Sequence, residues 1–248
     1  MIKIVNQIPT TMSTKKILII AANPTTSTTT GWPVGFWASE VTHPYHVLTE
    51  EGYEVTVASP QGGNLEMDAM SDPYNENGYS DWDELSKQVL KDDAFKVRLK
   101  NTPAVSELSI DDFDAIIVAG GQAPMFNFEN AEELHRFFKE FYETGKPTSA
   151  LCHGTAVLRY LEDDNGGPFV KGKKVTGFTN EEEDDADASV GQKVMPWRIE
   201  DELNKLGANF DKAEKWNPHV VVDGNLITGQ QNMSGEAVAR KVVEHLKS

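Results

Sequence analysis

A cysteine and a histidine stand side by side at Cys152-His153, within Pro147-Thr-Ser-Ala-Leu-Cys-His-Gly-Thr-Ala156. A thiolate is a nucleophile, and an imidazole next to it is a base that can take the thiol proton. Cys152 is the only cysteine in the 248 residues, so it has no partner for an internal disulfide. The apolar run TSAL leads into it, and a helix-like stretch from Thr155 to Leu161 follows. The thiol is thereby expected at the top of a strand and the start of a helix, where the positive end of the helix dipole favours thiolate. Ala150 and Gly154, two residues to either side, are small enough for the backbone approach of a sharp strand-to-helix turn. The pattern is that of a nucleophile elbow with Cys in place of Ser. A free cysteine is equally at home as an inert small hydrophobe in a core, so the surrounding residues must decide.

The elements that would position this pair read as alternating strands and helices. Continuous apolar runs at 16–22, 53–59, 114–120 and 148–152 have the composition of central strands buried on both faces. Amphipathic stretches lie between and after them: Glu40 to Glu51, Ala131 to Thr144, Pro196 to Leu206 and Ser234 to Leu246. Gly52, Gly145 and Gly207 stand just past helix ends, as left-handed caps require. Residues 220–228 read as a hairpin turning at Asp223-Gly224. The expected fold is a doubly wound α/β sheet, mostly parallel and flavodoxin-like, with helices on both faces. Residues 14–248 form one domain on this reading, and 1–13 a disordered tail. The polar segment 64–108, with a helix expected from Asp83 to Leu99, is too long for a simple connection and reads as an insertion walling a cleft. Ligands bind outside the carboxyl ends of parallel strands, so the TTSTTT loop at 25–30 should share a rim with Cys152.

Bulk composition narrows the partners. Acidic residues outnumber basic ones 39 to 23, a net charge of −16, which disfavours a nucleic-acid partner because phosphate attracts basic surfaces. No apolar run is long enough to span a membrane, and the N-terminal stretch lacks the apolar core of a signal peptide. A single cysteine fits a reducing, cytoplasmic setting.

Three more segments should meet Cys152 at the rim: Gly31 to Leu48 with Glu40, the turn at Gly120-Gly121, and the stretch after a fifth strand that ends at Glu183. Together with ASPQGG at 58–63, ALCHG at 150–154, TGFTNEEE at 176–183 and ITGQQNMS at 227–234, these segments resemble the ThiJ/PfpI superfamily. The nearest likeness is its branch of heat-inducible chaperones and glutathione-independent glyoxalases (glyoxalase III). The resemblance runs in one order over roughly residues 15–247, and the superfamily shares its fold with class I glutamine amidotransferases.

The resemblance implies a role for each matching residue. Cys152 is the implied nucleophile and His153 its imidazole partner. Sequence neighbours do not face each other on a regular helix, so the pairing needs a distorted backbone at the elbow. Glu183 is the implied carboxylate that orients the imidazole, with Glu182 one position away as the alternative. Most of the acidic run 181–187 otherwise reads as a solvated face. Glu40 is the implied carboxyl against the sulfur, protonated by burial and like charge; alternatively it is only a helix N-terminal acid. Gly121 would lend its N–H to an oxyanion hole. Two departures bear on the substrate: Gln122 stands where the branch often carries His, and Gln230-Gln231-Asn232 replaces Gln-Asn-Pro.

The activity implied is cofactor-free and metal-free conversion of a methylglyoxal-type 2-oxoaldehyde to a 2-hydroxy acid, D-lactate, in stress defence, by a homodimer. Two other classes stay open: a holding chaperone for unfolded client proteins, and a cysteine peptidase or amidase. His43 and His46 lie three apart, but with Pro44 between them and no third ligand they read as capping or packing residues. Trp32 and Trp37 read as pocket wall or core.

Overall fold

The computed structural model describes residues 14–248. The expected tail at 1–13 lies outside them. Strand β1 (Lys16–Ile20) opens the chain and is followed by the short hairpin of β2 (Thr25–Thr26) and β3 (Pro33–Val34). Helix α1 (Ala38–Glu50) then leads to β4 (Glu54–Ala58). Helices α2 (Glu84–Lys91) and α3 (Asp93–Lys100) precede β5 (Ala115–Val118), and α4 (Pro124–Asn127) and α5 (Glu132–Glu143) lead to β6 (Thr148–Leu151). The rest comprises β7 (Lys174–Val175), α6 (Asn180–Val190), α7 (Ile199–Lys205), β8 (Asn209–Phe210), β9 (Val220–Asp223), β10 (Leu226–Gly229) and α8 (Gly235–Lys247).

Six strands form the main sheet in the order β4-β1-β5-β6-β10-β9, parallel throughout except for the edge strand β9. This is the doubly wound α/β arrangement expected. The strands bury both faces, and side-chain alternation sends β1 to two cores. Leu18 and Ile20 pack with Phe137, Phe138 and Phe141 of α5. Ile17 and Ile19 pack with Leu48 of α1 and Val238 and Val242 of α8 on the other side. Near-continuous apolar strands are what such double coverage requires. Gly52, Gly145 and Gly207 all take positive φ just past helix ends, as expected of caps.

Several expectations need correcting. The stretch 83–99 is two helices rather than one, because Asp92 accepts the Ala94 N–H and caps a new start at Asp93. The helix after the elbow begins at the cysteine itself and is a 3-10 helix over Cys152–Tyr160, tightened by the Thr155 hydroxyl on the Cys152 carbonyl at 2.6 Å. The hairpin turns at Gly224-Asn225, one residue later than expected, since Asp223 pairs with Leu226. The segment read as a fifth strand, β7, lies outside the main sheet and pairs with β8. The 25–30 loop reaches the rim only as a buttress, its Thr29 hydroxyl donating to the Val194 carbonyl.

Candidate active site

The end of β6 delivers Cys152 in a left-handed conformation, φ 53°. A non-glycine residue there is strained, at a cost on the order of 1–3 kcal/mol. This distortion lets adjacent residues converge: Cys152 Sγ lies 3.7 Å from His153 Nδ1. The far imidazole nitrogen, Nε2, meets Glu183 Oε1 at 2.8 Å. Cysteine, histidine and glutamate thus form one buried line. Phe178 packs on the imidazole with ring centroids 4.4 Å apart, which limits the ring's freedom to turn.

Adjacent glutamates at the start of α6 take different partners. Thr179 and Glu182 close a capping box, with the Glu182 carboxyl accepting the Thr179 N–H at 3.0 Å. Glu182 also accepts the Trp216 N–H at 3.0 Å and the Gln230 amide at 2.9 Å. Only Glu183 reaches the imidazole.

Glu40, in the first turn of α1, is fully buried and accepts the Gly120 N–H at 2.7 Å. Its carboxyl also meets the Cys152 thiol. Burial, reinforced by the negative charge of Asp68, raises its pKa to about 8, so the carboxyl is protonated at neutral pH. Burial also pushes the Cys152 thiol up, with the negative charge of Glu40 the next cause. Protonated Glu40 removes that second cause and offers the sulfur a donor, so burial is the main force holding the thiol neutral. Its direction is opposite to that expected of a helix terminus, and the resting group is a thiol rather than the thiolate the dipole favours.

Two glycines make the convergence possible. A Cβ on Gly120 would stand 2.7 Å from Gly154 N, 2.8 Å from His153 N and 2.9 Å from the Glu40 carboxyl, so all three segments would have to part. Gly121 adopts φ +102°, and a Cβ there would meet Trp37 N at 2.4 Å. Its N–H has no protein acceptor among the described residues, which leaves it free for an oxyanion. Gln122 follows; its side-chain Oε1 is buried without a partner.

Asp68 is the site residue that sequence reasoning missed. It is almost fully buried and accepts the Gly35 N–H at 2.9 Å and the Gln122 N–H at 2.6 Å. It thereby ties the turn carrying Gly121 to the loop that enters α1. Burial raises its pKa to about 7. Asp68→Ala would strand two buried N–H groups at about 1–3 kcal/mol each. A loss of about 2–5 kcal/mol in unfolding free energy by urea titration is expected, and a loss below about 1 kcal/mol would show that the clasp carries little.

Cys152, His153, Gly121, Gln122 and Glu183 open onto a cavity of about 230 Å³. Met70, Tyr79, Ser80 and Trp82 from the 64–108 segment form one wall, as expected of that segment. Trp37 also lines the cavity, whereas Trp32 is exposed. Asn232 reaches the rim, and Gln230 acts from behind by holding Glu182. The His43 Nε2–H donates to the Asp83 carboxylate at 2.9 Å, away from the cavity.

The model of the DJ-1/PfpI family matches residues 33–245. Glyoxalase 3 of Candida albicans is 30% identical over 92% of this chain and 97% of its own length. The glutathione-independent glyoxalase HSP31 of Saccharomyces cerevisiae is 28% identical over 88% of this chain and 92% of its own. Among solved structures, Rapid Encystment Protein 24 KDa of Francisella tularensis superposes with a TM-score of 0.83 at 29% identity, covering 94% of this chain and 99% of that one. Glyoxalase III of Candida albicans superposes with a TM-score of 0.77 at 29% identity, over 93% of this chain and 97% of that one. With an elbow cysteine in the matched fold and a family match over most of its length, the chain belongs to the DJ-1/PfpI family.

Proposed function

We propose that this protein is a glutathione-independent glyoxalase that converts 2-oxoaldehydes of the methylglyoxal type to 2-hydroxy acids, with no cofactor. The observation that carries the reading is the fully buried Glu40 carboxyl against the sulfur of a Cys152–His153–Glu183 line. A hydrolytic triad needs the cysteine, the base and its orienting acid. Isomerising a dicarbonyl needs a further acid beside the sulfur, and Glu40 supplies it.

The steps follow from those positions. The Cys152 thiol gives its proton to His153 Nδ1 while sulfur bonds to the aldehyde carbon. Glu183 stabilises the imidazolium formed. The new oxyanion is held by the Gly121 N–H and protonated by His153, giving a hemithioacetal. His153 then removes the proton on C1 as Glu40 donates its own to the C2 oxygen, forming an enediol. Return of a proton from His153 to C2, with loss of the O1 proton to Glu40, gives the thioester of the 2-hydroxy acid. Water cleaves the thioester, and the proton released returns to Cys152 sulfur. Carbon is reduced at C2 and oxidised at C1 within one molecule, so no external redox partner is consumed.

The cavity's volume of about 230 Å³ supports a small substrate over a peptide. This disfavours the peptidase reading. The test is chiral analysis of lactate made from methylglyoxal in glutathione-free buffer. Lactate above the uncatalysed rate is expected, and its absence would overturn the reading. A holding role for unfolded clients is the second reading, favoured by Tyr79, Trp82 and Met233, all exposed at the cavity mouth. We also propose a homodimer, to be checked by light scattering, where a monomer would refute it, and a cytoplasmic setting, to be checked by cell fractionation.

A further inference from the structure

The cavity is larger and more aromatic than a three-carbon aldehyde needs. Its volume, about 230 Å³, would hold on the order of ten waters, whereas methylglyoxal displaces only a few. Two aromatic groupings line the cavity. Trp37 and Tyr79 meet edge to face at 6.1 Å. His153, Phe178 and Trp216 pack in series, the first pair tilted at 4.4 Å and the last edge to face at 5.9 Å.

Trp216 is the telling member. Among the described residues, only Cys152 and Trp216 combine a side chain with positive φ, and both line this cavity. For a bulky aromatic residue that conformation is a genuine outlier. It is held from both ends: the backbone N–H donates to Glu182 at 3.0 Å and the indole N–H to Asp185 at 2.9 Å. Glu182 is itself fixed by Thr179 and by Gln230, which also accepts the Ala213 N–H at 2.9 Å. A network of buried polar groups is spent on the pose of one indole at the cavity wall. Backbone strain retained at such a place points to a ligand contact.

We infer that the chamber beside Cys152 is a subsite for a flat apolar group on the substrate, so that aryl-substituted 2-oxoaldehydes are preferred over methylglyoxal, with Trp216 as the selecting wall and Glu182 as its positioning residue. The inference rests on the glyoxalase reading of the Cys152 site. An aryl ring passing from water to this wall gains roughly ten- to a hundredfold in transition-state affinity over a methyl group.

The experiment compares kcat/KM for phenylglyoxal and methylglyoxal, without glutathione, in the wild type, Trp216→Ala and Glu182→Gln. The wild-type ratio is expected to favour phenylglyoxal by roughly ten- to a hundredfold. Both substitutions should lower it by about fivefold or more, mainly through KM of the aryl substrate. Each ratio is measured on one preparation, so a loss of folded protein cancels, and the chemical reactivity of the two aldehydes is common to all three proteins. A wild-type ratio of one or less, or a ratio unmoved by both substitutions, overturns the inference while leaving the glyoxalase reading intact. Turnover of neither aldehyde removes that reading instead. Titration calorimetry then decides the subsite: mandelate binding about tenfold tighter than lactate, and weakened in Trp216→Ala, supports it, and equal binding refutes it.

Discussion

Cys152→Ser is expected to lower glutathione-free formation of lactate from methylglyoxal by about 10⁴-fold or more, with the fold intact by circular dichroism. A serine hydroxyl is far less acidic than a thiol, and a buried site already holds even the thiol in its neutral form. His153 would have to remove a much more tightly held proton, and the tetrahedral adduct would lose its sulfur. Near-isosteric replacement leaves the 3-10 turn and the Thr155 clasp in place, so the loss would be chemical rather than structural. Rates equal to wild type would refute nucleophilic catalysis by Cys152. The same protein separates the second reading, since a holding activity at the cavity mouth would persist in it as undiminished suppression of client aggregation.

Glu40→Gln is expected to reduce kcat by about 10²–10⁴-fold, because the amide can still donate to sulfur but cannot exchange a proton with the substrate oxygen. The wild-type kcat/KM should fall as pH rises through about 8, where Glu40 loses the proton it must donate. That limb should vanish in the variant. Stability carries the same signature. The folded carboxyl titrates at about 8 against an ordinary 4.5, and that of Asp68 at about 7 against 3.8, so the folded state binds these protons more tightly. Their contribution is full below the ordinary values and is lost as pH rises through the folded ones, a change on the order of several kcal/mol. Urea midpoints should therefore fall between about pH 5 and pH 8, and fall less in Glu40→Gln. A midpoint that rises over that range in the wild type would contradict the protonated state assigned to Glu40.

Much of this was legible in the chain itself. Parallel strands buried on both faces leave continuous apolar runs, and four of the six main-sheet strands carry one. The elbow was visible because its signal is local: a strand, a cysteine, small residues at 150 and 154, then a helix. Glu182 and Glu183 were inseparable by proximity alone, yet the deciding signal was present. Thr179 followed three residues later by Glu182 is a capping box, which turns Glu182 back onto its own helix and leaves Glu183 for the imidazole. Asp68 had no comparable mark. Its partners are two main-chain N–H groups, 33 and 54 residues away, that only the tertiary fold brings together. The acidity of the thiol is hidden from the sequence for a similar reason. A helix start is readable locally, whereas complete burial beside Glu40 depends on α1, the Gly120 turn and β6 meeting.

The central claim is a covalent bond between Cys152 and substrate. Its most direct measurement is peptide mass mapping of protein quenched in acid during turnover of isotopically labelled methylglyoxal. A label-bearing adduct of one substrate mass on Cys152, gone once the substrate is exhausted, is expected. Sustained production of lactate with Cys152 unmodified, and unaffected by prior alkylation of that residue, would contradict it.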